Sequence, residues 1–131
     1  MHTRDSKDSL IAEVAKVADL CMKPYVHSVF LENQSDDNDE LDDLIFKIQC
    51  RNIDGEREES MDIELEVYKS VNDVNMTISW KSLLDRPILW QGKHAVWMDC
   101  SSGAQCETPS YGKLFESFAR RLRTVFKASL N

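Results

Sequence analysis

The chain has 131 residues and a formal net charge of −7, with 42% hydrophobic and 30% charged residues. That length suffices for one domain with a single buried core, and the balance is ordinary for a soluble globular chain rather than a disordered or fibrous one. No apolar run approaches the about 20 residues that cross a bilayer, and a sequence pI near 4.9 argues against a nucleic-acid partner for the chain as a whole.

The opening Met-His-Thr-Arg-Asp-Ser-Lys-Asp is polar and leads into no signal-peptide hydrophobic region, so a cytoplasmic location is expected. Residues 6–22 then place Leu10, Ile11, Val14, Val17, Ala18 and Cys21 on one face at helical spacing, with Asp5 or Ser6 as cap and Pro24 as terminator. Tyr25 to Leu31 carries β-branched and aromatic residues that predict a strand. The stretch 32–43 is an acidic block, read as a solvated loop or a disordered insert. It fails as an EF-hand, because alignment on Asp36, Asn38 and Glu40 puts Leu41 at the glycine position and Lys47 at the bidentate glutamate position.

Residues 61–69 alternate strictly, with Met61, Ile63, Leu65 and Val67 on one side and Asp62, Glu64 and Glu66 on the other. A hairpin over Ile53 to Ser60 sets Phe46 opposite Val67, Ile48 opposite Leu65, Cys50 opposite Ile63 and Arg51 opposite Asp62. A turn at Ser70 to Asp73 sets Val67 opposite Met76, Leu65 opposite Ile78 and Ile63 opposite Trp80. The acidic stripe, flanked by Lys47, Arg51 and Lys81, reads as a charge-paired face in water. A second hairpin about Gln91-Gly92-Lys93, with glycine supplying positive φ, pairs Trp90 with Ala95 and Ile88 with Trp97. Both tryptophans then share one face, as strand packing or as an anchor for a partner.

Thr108-Pro109 predicts a helix start, followed by an apolar stripe of Tyr111, Leu114, Phe115, Phe118, Leu122, Val125 and Phe126. Residues 109–131 hold a local charge of +4 through Lys113, Arg120, Arg121, Arg123 and Lys127, leaving −11 for the rest. Part of that surplus suits the negative end of the helix dipole. The remainder points to internal complementarity or an acidic partner, and more weakly to nucleic acid through Arg120, Arg121, Arg123 and Lys127.

No dinucleotide fingerprint, P-loop, His-Glu-x-x-His or nucleophile-elbow motif occurs, and only four glycines are present. The cysteines at 21, 50, 100 and 106 have neither metal-site nor disulfide-framework spacing. A thiolate at Cys100 or Cys106 with His94 as base is disfavoured, as is a zinc site adding His27. The sequons at Asn33 and Asn75 are chance matches without a secretory signal. The expectation is a single α+β domain over 1–131, a five- or six-stranded mainly antiparallel meander with N- and C-terminal helices on one face. Its expected role is a non-enzymatic protein-binding or adaptor module, chaperone-like or immunity-type, using Trp90, Trp97, Arg120, Arg121 and Arg123, with no cofactor, an unidentified protein partner and a homodimer as one form. The alternative is a small-molecule-binding domain or small enzyme with a pocket near Trp80, Trp90, Trp97 and Tyr111.

Overall fold

The computed structural model describes residues 3–32, 43–71, 73–83 and 85–130. Most of the acidic block lies outside them. Alternating and helical apolar spacing resolve into α1 (Thr3–Cys21), β1 (Val26–Leu31), β2 (Asp43–Arg51), β3 (Ile63–Ser70), β4 (Asp73–Trp80), β5 (Ile88–Gln91), β6 (Ala95–Met98) and α2 (Gly112–Leu130). The six strands form one antiparallel meander in sequence order, as the hairpin spacing demands. Both helices cover the same face, so the architecture is the expected two-layer α+β fold. No helix among the described residues is long and apolar enough to cross a membrane.

The core joins Phe46 and Ile48 of β2, Ile63, Leu65 and Val67 of β3, and Met76 and Ile78 of β4 to the helices. From α1 come Leu10, Val14 and Ala18, and from α2 Phe118, Leu122 and Phe126. Helix α2 runs obliquely across the sheet. Near its start Phe115 meets Trp80 edge-on at 4.7 Å, and near its end Phe126 meets Phe46 at 5.7 Å. The helix begins at Gly112 rather than at Pro109. Thr108 to Tyr111 instead make a turn in which the Gly112 N–H bonds the Pro109 carbonyl, and a Cβ at Gly112 would lie 2.4 Å from Thr108 Cγ2. Leu114, expected on the buried stripe, is 53% exposed, and Ala119 is buried in the core alongside Phe115 and Phe118. At the other end, α1 starts at Thr3, which puts Asp5 and Ser6 inside its first turn rather than at a cap.

Pairing of β3 with β4 has the expected register, Val67 opposite Met76 and Ile63 opposite Trp80. Pairing of β2 with β3 is shifted by two residues: Phe46 faces Leu65 and Ile48 faces Ile63. The cause is a 3-10 turn at Glu59–Met61, which takes Met61 out of the strand. Asp62 then accepts the Cys50 N–H at 2.8 Å and a bidentate pair from Arg57 at 2.9 and 2.7 Å, so the partner of Asp62 is Arg57 and not Arg51. Burial alone would raise the Asp62 carboxyl, but the Arg57 guanidinium and the Cys50 N–H hold it below the usual range. A shift of two keeps every side chain on its expected face.

Candidate partner-binding face

Among the described residues, both helices pack on one face of the sheet and neither covers the opposite face. Its side chains follow from alternation: Val26, Ser28 and Phe30 on β1, Ile45, Lys47 and Gln49 on β2, and Glu64, Glu66 and Tyr68 on β3. Asn75, Thr77 and Ser79 on β4 lead to Ile88 and Trp90 on β5 and to Val96 and Met98 on β6.

The second hairpin departs from expectation by one residue, and that slip decides the face. Gly92, Lys93 and His94 form a three-residue turn closed by Gln91 opposite Ala95, so Trp90 pairs with Val96 and Leu89 with Trp97. Trp97 therefore points into the core at 4% exposure, while Trp90 points outward; the two do not share a face. Trp97 is held from the far side as well, its Nε1 donating to Glu116 Oε2 at 2.8 Å. Gly92 does not have positive φ. It is required instead by close approach, since a Cβ there would sit 2.7 Å from Trp90 Cη2. Trp90 Nε1 donates to the Tyr68 hydroxyl at 2.6 Å, so the indole is pinned over the turn by a strand two places away.

Two chemistries thus lie side by side on this face. Ile88, Trp90, Val96 and Met98 form an apolar half over β5 and β6, each partly exposed. On β3, Glu64 and Glu66 form an acidic stripe. Burial raises the Glu66 carboxyl, and the neighbouring charges of Asp43 and Glu64 raise it further. A side-chain hydrogen bond with Asp43 acts in the same direction. Lys47 lies opposite Glu64 and pairs with Glu32 at 3.2 Å, so charge compensation reaches the lower row of the stripe and stops there. At the β1 end, Val26 and Phe30 are 52% and 50% exposed.

The three arginines separate. Arg123 bonds Asp73 at the start of β4 and is an internal tether between helix and sheet. Arg120 and Arg121 project into solvent, and neither side chain has an ion-pair or hydrogen-bond partner among the described residues. Of the residues expected to line a pocket, Trp80, Tyr111 and Trp97 pack edge-on with Phe115 at 4.7 to 6.5 Å, Arg86 stacks on Trp80 and Tyr111, and a cleft of about 200 Å³ opens beside Trp80 and Arg86.

The polar constellation about the second hairpin is also committed to structure. Asp99 accepts from the Ser101 hydroxyl and from the Ser102 and Ser101 N–H groups, which bring its carboxyl down to about 2. A dyad missed by sequence spacing lies elsewhere: Asp19 Oδ1 accepts the His27 N–H at 2.7 Å and sits 2.8 Å from His27 Nδ1. His27 lies directly opposite Cys50, whose thiol burial pushes up to about 11, so it is not a poised nucleophile. Among the described residues no three His, Cys, Asp or Glu side chains converge as metal ligands, and all four cysteines are free.

A family model described as "Domain of unknown function (DUF8659)" matches residues 11–125. No curated protein and no solved structure matches the chain.

Proposed function

The chain belongs to this DUF8659 family, and from its geometry we propose a non-enzymatic protein-binding module of the cytoplasm that works through the helix-free face of its sheet. One observation carries the reading: a tryptophan pinned by Tyr68 and Gly92 stands on the same face as the acidic stripe of Glu64 and Glu66, one strand beyond Thr77. A rigid indole loses little entropy on docking, and tryptophan is enriched among residues that dominate binding energy. The acidic stripe of Glu64 and Glu66 favours a partner that brings a cation. The fitting occupant is a protein segment interleaving large apolar side chains with Lys or Arg. Buried Cys50 and the absence of disulfides among the described cysteines are compatible with a reducing compartment.

Selection of a random peptide display library on the purified chain tests this. Enriched peptides should carry apolar–basic patterns, and Trp90→Ala should weaken them by about 2 kcal/mol or more, roughly 30-fold in Kd. Glu66→Lys should abolish the preference for basic residues. Peptides without basic residues, or binding indifferent to both substitutions, would sink the reading. A dimer that competes with the peptides would instead assign the face to a second copy of the chain.

A further inference from the structure

Helix α2 turns a second surface to solvent, opposite in charge to the sheet face. Its buried residues, Phe115, Phe118, Ala119, Leu122 and Phe126, define the inward side. Helical spacing then puts Lys113, Ser117, Arg120, Arg121, Thr124 and Lys127 along the outward ridge, with Glu116 on its flank. Two clefts adjoin on this ridge and share Arg120. One, of about 280 Å³, lies between the β5–β6 turn and the helix and is lined by Gln91, Lys93, His94, Ala95, Glu116 and Arg120. The other, of about 310 Å³, is lined by Ser117, Arg120, Arg121 and Thr124.

The charge in these clefts is left over after internal pairing. Arg123 and Lys127 face Asp73, which accounts for part of the basic surplus. Glu116, the carboxylate of the first cleft, accepts from Trp97 Nε1 and from the Thr108 hydroxyl, and forms no ion pair with Arg120 one turn away. Lys93 and Arg120 line the first cleft beside Glu116, Arg120 and Arg121 line the second, and none of the three cations has an ion-pair partner among the described residues, on a chain of net charge −7.

We infer that this ridge is a docking strip for an acidic polypeptide segment, distinct from the sheet face. Two adjoining open clefts with shared guanidinium suit an extended run of carboxylates better than one compact anion, and guanidinium forks match carboxylates in pairs. Nucleic acid fits less well. The large aromatics of α2 point inward, and no Phe, Tyr or Trp lines either cleft, so the strip offers bases no large aromatic ring to stack on. With both surfaces occupied, the module would bridge a basic and an acidic partner.

Fluorescence anisotropy with labelled hexaglutamate, and with oligothymidylate of equal charge, on the full chain tests the inference. Hexaglutamate should bind more tightly than the oligonucleotide. Arg120→Glu should weaken it about tenfold, and Lys93→Glu by a similar factor. Lys16→Glu, which alters net charge equally from an exposed site on α1, should leave binding near the parent value. Tighter oligonucleotide binding, equal losses in all three variants, or no binding of hexaglutamate would each overturn the inference. Trp90→Ala is inert in this assay, so the strip and the sheet face stand or fall separately.

Discussion

Phe126→Ala is expected to cost about 4 kcal/mol, the largest effect of any single truncation considered. The ring is fully buried near the end of α2 and packs on Phe46 of β2 at 5.7 Å. Phe115 secures the opposite end of the helix against Trp80 and Trp97, so the two contacts hold α2 at both ends of its oblique path. Alanine would remove the transfer free energy of the ring and open a cavity under the last turns, where Lys127 and Arg123 hold Asp73. Urea unfolding of the variant should show a lower midpoint with unchanged slope. Phe46→Ala should be costly too, and the double variant should cost less than the sum, because both truncations enlarge one cavity. Strict additivity would mean that the rings do not support each other.

Asp62→Ala is the second large effect, about 3 kcal/mol, and its origin is polar. The carboxylate is nearly buried and serves two groups at once: it satisfies the Cys50 N–H, which the two-residue shift leaves without a strand partner, and it neutralises Arg57. Removing it orphans a buried donor and a partly buried guanidinium together. Because Asp62 titrates below its ordinary value in the fold, its contribution is present above the unfolded pKa of about 3.9 and is lost as pH falls through the folded value. The gap in Tm between parent and variant should therefore be widest near neutral pH and close below about pH 4. A gap that persists there would assign the role of Asp62 to packing rather than charge.

These two positions also mark where sequence reasoning succeeds and where it stops. Phe126 is legible, since an apolar stripe at helical spacing in a chain of this length has one place to go. So is the β3–β4 ladder, whose short turn at Ser70 to Asp73 leaves one register that buries both strands. Asp62 is not, because the alternation that reveals β3 cannot say that its first turn coils and that a side chain replaces a strand in the ladder. The resulting shift of two is silent to any pattern of faces. The shift of one at the second hairpin is not silent. Ile88-Leu89-Trp90 is apolar throughout and carries no alternation to choose between faces, so turn length alone decides. A three-residue turn sends Trp97 inward and Trp90 outward, so Val96 and Met98 take the places on the face that the two-residue turn gives to Ala95 and Trp97. Arg120, Arg121 and Arg123 were all legible as basic, but only helix phase against Asp73 separates the tether from the two that remain free.

The carboxylate of Asp19 has one more consequence, set by where β1 lies in the ladder. An open meander has two terminal strands, each able to recruit a foreign strand and begin a fibril. At one terminus Asp19 occupies the His27 N–H, and at the other the Met98–Gln105 bridge and the Cys106 N–H to Trp97 carbonyl bond cap β6. Strand recruitment is thereby hindered at one position of the β1 rim and along β6, so polymerisation through the sides of the meander meets a carboxylate at one rim and an occupied ladder at the other.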